Sequence, residues 1–243
     1  MRSRLGLPLI LVILVGVLLT FHSRASLNFP KDKQQDFSNY PIADADAPEP
    51  TDAKKVLKRK TKSKKYREYK NHIGPGVGAY EIYHWPPGFP TLPVAQSEAV
   101  IIGKVTDASA YLTEDKSSVY SEFTVCIEEV LKNDQPLLLL GSSITLDRPG
   151  GRVRYSNGKT SQFSLAGFGM PLVGGRYIFF IKGDVDEDYQ IITAYQIQQG
   201  RIYPLDKTTS SDTRFEIHTN ADEQLFLNKL RQLSQTLSDP VVR

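Results

Sequence analysis

The chain has 243 residues, 40% of them hydrophobic and 23% charged, with mean hydropathy −0.32. That is enough for one well-cored domain with extensions, and it excludes a polytopic membrane protein or a chain disordered throughout. The formal net charge is +3, and the single cysteine, Cys126, excludes an intrachain disulfide, a CxxC redox pair and a cysteine-rich zinc site.

In chain order, the first feature is a charge-free run from Leu5 to Phe21, preceded by Arg2 and Arg4 and followed by His22 and Arg24. It predicts export, with residues 1–25 acting either as a signal peptide cut before Ser26, where Ser23 and Ala25 form a small-x-small site, or as a retained membrane anchor. In both cases Arg2 and Arg4 keep the N-terminus cytoplasmic and send the rest across the membrane. The expected location is periplasmic, extracellular, or anchored to the cytoplasmic membrane.

Residues 26–93 read as a disordered tether, because nine of the fifteen prolines fall between residues 27 and 96 and no helical or alternating period persists there. Within it, residues 54–70 hold ten Lys/Arg against Glu68 alone. The rest of the chain therefore carries 20 Lys/Arg against 26 Asp/Glu, net −6, so the basic character belongs to the tether. Lys54, Lys55, Lys58, Arg59, Lys60, Lys62, Lys64 and Lys65 are either solvated spacer charges or contacts for anionic lipid or an acidic polymer.

Residues 94–206 read as β. Segments 99–106 (AVIIGKVT) and 118–131 (SVYSEFTVCIEEVL) form strands, the second alternating with Phe123, Val125 and Ile127 on one face. Further strands are predicted at 143–148, around 153–155, and at 162–165, 176–182 and 189–197, with Asn157-Gly158 expected as a type I′ hairpin turn. One wet face implies an antiparallel sheet, and Gly103 inside the first strand marks a sharp coil. In residues 207–243, Asn220 followed by Glu223 resembles a capping box. Phe226, Leu230, Leu233 and Leu237 then make one apolar stripe, which packs on the β domain or forms a dimer contact.

The expected fold class is therefore mainly β, a small antiparallel barrel of the OB type with a C-terminal amphipathic helix. The segments LPVAQSEAVIIGKVT, YSEFTVCIEEVLKND, ITLDRPGGRV, LVGGRYIFFIK and QIQQGRIYPLD resemble a recurring domain of exported bacterial proteins. In strand order that domain is similar to the netrin/TIMP-like barrels. The resemblance covers residues 91–206 and implies an OB-fold with a flanking C-terminal helix. It implies no inhibitory chemistry: the disulfides and N-terminal cysteine of those inhibitors are absent, and Asn133 stands where a glycine would follow Lys132.

No catalytic constellation is apparent. Gly141-Ser142-Ser143 lacks the strand-to-helix context of a nucleophile elbow, the four histidines have no metal-ligand spacing, and Gly74 to Gly78 lacks the Lys-Ser/Thr of a phosphate loop. Asp184, Asp186 and Asp188 depart from an EF-hand loop at Tyr189 and Tyr195, and read as a solvated hairpin tip. Around the Pro149-Gly150-Gly151 turn, Arg148, Arg152 and Arg154 with Tyr155 are either a solvated hairpin or a carboxylate- or phosphate-gripping site. Tyr120 and Tyr111, near the first interstrand loop, offer stacking platforms for the same site. The sequence thus predicts an exported, non-enzymatic module binding an envelope protein or acidic polymer, with no cofactor or metal. The alternatives are an enzyme with a site near residues 148–155 that uses Glu122 or Glu128, and a structural spacer. Nucleic acid is disfavoured by the negative charge outside the tether.

Overall fold

Eleven strands and two α-helices are laid out over residues 38–69, 79–82, 85–86, 88–134, 138–183, 188–206 and 213–238 of this computed structural model, the residues described below. All of them belong to one unit, Phe37–Arg243; the run from Leu5 to Phe21 and its cleavage site lie outside the described residues.

The larger sheet is built from β3 (Ala99–Leu112), β4 (Val119–Asn133), β5 (Ser143–Pro149), β8 (Arg176–Gly183), β9 (Tyr189–Gln198), β10 (Arg201–Pro204) and the short β11 (Ala221–Asp222). Its order is β11-β10-β9-β5-β4-β3-β8, and β8 also pairs with β9, so that β3, β4, β5, β9 and β8 form a closed circuit of pairings, with β10 as a third neighbour of β9. All these pairings are antiparallel except β5 with β9, which is parallel; the wholly antiparallel expectation is corrected there. The parallel pairing is short, Leu146 with Tyr189 and Asp147 with Gln190, because the strands meet only where the circuit of pairings closes.

The 99–103 run is apolar without alternation because both faces of β3 are covered. Ala99, Ile101 and Val105 point into one core with Phe123, Val125, Leu146, Phe179 and Ile181. Val100 and Ile102 point into a second core with Ile178, Phe180, Tyr195 and Ile197. This second core is roofed by Phe226, Leu227 and Leu230 of α2 (Glu223–Ser238), so the C-terminal helix packs on the sheet. The predicted stripe ends early: Leu230 is 0% exposed, whereas Leu233 is 38% exposed and Leu237 50%. At Gly103 an added Cβ would stand 2.9 Å from the Cys126 carbonyl oxygen, so the close approach of β4 requires glycine.

Two turn expectations are corrected. In the Asn157-Gly158 turn only Gly158 has positive φ (77°), and its N–H bonds to the Tyr155 carbonyl, so the loop is not type I′. The Tyr155 N–H bonds to the Lys159 carbonyl, which makes the positive-φ Gly158 the extra residue of the loop, and the Lys159 N–H bonds to Asn157 Oδ1. At the start of α2 the cap is Asp222, whose Oδ1 accepts from the Leu225 N–H at 3.1 Å; Asn220 lies two residues too early, at φ 61°.

The largest correction concerns the tether. It contributes β1 (Ile42–Asp44), α1 (Ala53–Tyr66) and β2 (Ala79–Ile82). With β6 (Gly151–Arg154) and β7 (Thr160–Ala166), the two strands form a second sheet, ordered β1-β6-β7-β2, in which β1 and β2 flank the β6–β7 hairpin in parallel pairings. The α1 helix starts where the Asp52 carboxylate caps the Lys55 N–H at 2.9 Å, and it continues through residues with good helix propensity and no glycine or proline. No apolar period announced it because the residues it buries are Lys62, Ser63 and Tyr66.

Candidate functional site

Helix α1 is held down by charge. Lys58, Lys62 and Lys65 follow at helical spacing on one face, and Glu122 of β4, Asp147 of β5 and Asp188, just ahead of β9, meet them. The Lys62 ammonium, 1% exposed, lies 2.5 Å from Asp147 Oδ2, 2.6 Å from Asp188 Oδ2 and 3.1 Å from Glu122 Oε1. Lys58 adds a 2.7 Å contact to Asp188, Lys65 a 3.2 Å contact to Asp147 Oδ1, and the Tyr66 hydroxyl donates to that same oxygen at 2.5 Å. Burial opposes the charge on Lys62, but the Asp147 and Glu122 carboxylates outweigh it and hold its pKa above the ordinary lysine value.

From this network a column of tyrosines runs outward. The Tyr66 ring stacks on Tyr120 at 4.9 Å and 12°, and Tyr120 stacks on Tyr111 at 5.5 Å and 30°. Tyr66 and Tyr120 are buried, whereas Tyr111 is 37% exposed. Tyr111 and Tyr120 face each other across the β3–β4 hairpin, so the hairpin register itself sets their stacking.

Tyr111 and Tyr120 form one wall of an open cleft of about 340 Å³. The opposite wall is the first half of α1, contributing Lys55, Lys58 and Arg59, and the rim carries Asp44 and Glu122. The remaining lining is small or apolar: Ala43, Ala47, Pro48, Pro50, Ala110 and Leu112. Lys55 is exposed and makes no ion pair among the described residues. Arg59 spends one terminal nitrogen on the exposed Glu49 at 3.0 Å, and its Nε is buried without a hydrogen-bond partner among the described residues. Chemically, the cleft offers two available cations one helical turn apart, a rigidly backed aromatic face and carboxylate acceptors.

The two predicted groups of site residues are redistributed. From the first, Tyr120 joins the cleft, but Arg148 does not. It is fully buried, its guanidinium forked onto Asp206 at 2.8 and 2.7 Å and donating to the Gly169 carbonyl at 2.5 Å, with Phe168 beneath it. Asp206 also accepts from the Thr193 hydroxyl at 2.8 Å and the Gly169 N–H at 3.1 Å, so both of its oxygens are occupied inside the fold. Arg148 as a ligand-gripping group is thereby corrected. Arg152 donates to the Ser38 carbonyl, Arg154 lies 3.4 Å from Asp44 at the surface, and Tyr155 is half-buried against the β6–β7 sheet. Of the basic block, Lys55, Lys58 and Arg59 line the cleft, Lys62 and Lys65 pin the helix, and Lys54, Lys60 and Lys64 are exposed.

Glu122 and Glu128, the acids considered for an enzymatic site, are separated from the 148–155 loop chemistry by their own partners. Glu122 serves Lys62, and Glu128 pairs with Arg176 at 2.5 Å. Cys126 is half-buried in β4 with a free thiol. Asp188 belongs to the Lys62 network, while Asp184 and Asp186, like His22, His72 and His84, lie outside the described residues. His218 is buried, its Nε2 3.0 Å from Thr91 Oγ1, and burial together with Lys229 pushes its pKa down to about 4. Among the described residues no cluster of His, Cys, Asp or Glu is placed to hold a metal ion, and no helix is long and apolar enough to cross a membrane.

Sequence reasoning does not bring Asp44, Lys55 and Arg59 to the tyrosines, because β1 and α1 both read as tether. Asp52 ahead of a Lys/Arg-rich run without glycine or proline is the signal for the helix that carries Lys55 and Arg59. No family model matches this chain, and comparison with curated proteins returns no match.

Proposed function

We propose that this chain is an exported, non-enzymatic binding module, built on an OB-like barrel of netrin/TIMP type, that takes an anionic ligand of the cell envelope in the cleft between α1 and the β3–β4 hairpin. The observation that carries this reading is the juxtaposition, in one cleft of ligand size, of Lys55 and Arg59 with the outer face of the Tyr66–Tyr120–Tyr111 column. The circuit of five paired strands and the roofing helix support the OB-like assignment, which is the expected setting for a ligand site on a barrel face. The run from Leu5 to Phe21 supplies export, as a signal peptide or as an anchor.

The test is retention of the full chain on anionic and neutral polymer matrices at low and high salt, beside the variant Lys55→Glu/Arg59→Glu. Salt-sensitive retention on the anionic matrix alone, lost in the variant, is expected. Equal retention on both matrices, or retention indifferent to the variant, would refute the reading.

A further inference from the structure

We infer that the cleft recognises an acidic sugar unit: a pyranose-sized ring carrying a carboxylate, as in a hexuronate, taken either as a free sugar acid or as one residue of an acidic glycan. This rests on the cleft being the binding surface and adds the chemistry of what enters it.

Three observations select this class. First, the platform is a single outward tyrosine face. Tyr111 is 37% exposed and is backed by the buried Tyr120 and Tyr66 rings at 5.5 and 4.9 Å in turn, so it cannot tilt away when loaded. The negative face of an aromatic ring attracts the weakly positive C–H edges presented by one side of a sugar ring. Second, the cations are few and spaced. Lys55 and Arg59 lie four residues apart, about 6 Å along the helix, which suits one carboxylate held between them or one on each of two neighbouring sugar units. The guanidinium of Arg59, with one terminal nitrogen on Glu49, keeps its other terminal nitrogen to donate to such a carboxylate.

Third, the cleft carries carboxylates as well. Asp44 and Glu122 stand on its rim and wall. A strand of nucleic acid or polyphosphate, with a charge on every unit, meets repulsion from both. A sugar acid carries one charge among several hydroxyls, and hydroxyls donate to carboxylates. The volume of about 340 Å³ lies at the lower end of ligand sites, matching one or two rings and no more.

The experiment titrates the full chain, by calorimetry and by saturation-transfer NMR, with a short oligouronate, the uronate monomer, the neutral oligosaccharide of equal length, polyglutamate and polyphosphate. The variants are Tyr111→Leu, Tyr111→Phe and Lys55→Gln. The oligouronate is expected to bind, with the neutral oligosaccharide about tenfold or more weaker, the factor one charge-assisted hydrogen bond supplies. Tyr111→Leu and Lys55→Gln should each cost a similar factor, while Tyr111→Phe, which keeps the ring, should bind as wild type. Equal affinity for monomer and oligomer assigns a free sugar acid, and tighter oligomer binding assigns a glycan; both support the inference. Binding of polyglutamate or polyphosphate with the same Tyr111 and Lys55 dependence, without oligouronate binding, overturns the sugar and leaves the cleft standing. Failure of every probe, or binding indifferent to all three variants, overturns both.

Discussion

Replacing Lys62 by methionine tests how far charge, beside the Tyr66–Tyr120 stack, holds α1 in place. The substitution keeps the length of the side chain and deletes the ammonium that reaches Asp147 at 2.5 Å, Asp188 at 2.6 Å and Glu122 at 3.1 Å. Asp147, 0% exposed, would keep only Lys65 and the Tyr66 hydroxyl. Removing one partner from a buried ion pair costs about 3–5 kcal/mol, and α1 can relieve part of that by lifting off and letting water reach Asp147, so the lower end applies. About 3 kcal/mol is roughly a hundredfold in the population of the lifted helix.

Native-state proteolysis reads that population directly when opening is fast relative to cleavage. Trypsin should therefore cut Lys62→Met after Arg59 roughly a hundredfold faster than wild type, or at the unfolded-chain rate if that is reached first. Lys60→Met, changed at an exposed position, should leave that rate alone. The double variant Lys62→Met/Asp147→Leu, which removes the buried pair and leaves Asp188 to Lys58, should recover much of the protection. The linkage sign is fixed as well. A folded pKa above the ordinary 10.5 means that the Lys62 contribution is fully present below pH 10.5 and is lost only as pH rises beyond it. Equal cutting of wild type and Lys62→Met at Arg59, or equal sensitisation by Lys60→Met, would refute electrostatic docking of the helix.

Three further outcomes are expected. Leu230→Ala should cost about 2–5 kcal/mol in urea unfolding, because its side chain fills the core beneath α2, while Leu233→Ala should stay within about 1 kcal/mol; similar losses at both positions would contradict the packing of the helix. Arg148→Ala strands the buried Asp206 carboxylate and should destabilise by about 3–5 kcal/mol without weakening ligand binding per folded molecule, a separation that calorimetry on the folded fraction checks. His218, depressed to about 4 by burial, contributes stability that is fully present above pH 6.5 and is lost as pH falls towards about 4, so unfolding free energies should decline across that window and His218→Gln should flatten the decline; parallel slopes for the two proteins would refute it.

The strands could be read from the sequence because each carries its own alternation, or a two-faced apolar run as in β3 and β8, and because glycines punctuate them. Helix α1 could not, since a buried face of Lys62, Ser63 and Tyr66 looks like solvated polar sequence until the carboxylates that receive it are known. Asp147 is 85 positions from Lys62. Arg148 failed for the same reason: beside a Pro-Gly-Gly turn it reads as a surface cation, and its partner Asp206 is 58 residues away. The cleft was half legible. Tyr111 and Tyr120 face each other through a short hairpin, a relation local enough to infer, but the cations opposite them arrive on an element that only long-range ion pairing positions.

That dependence on distant partners sets an order of events for the growing chain. Asp44 meets Arg154 across 110 positions, β2 lies against β7 at residues 163–166, and Lys62 waits for Asp147 and Asp188. Contacts so far apart in sequence form late, after the entropy of closing their loops has been spent on the β3–β5 meander and the strands that complete it. Residues 38–69 are made before those strands and have none of these partners until the strands follow. The segment that closes the cleft between α1 and the β3–β4 hairpin is therefore the last to lock, and the cleft exists only once folding is complete.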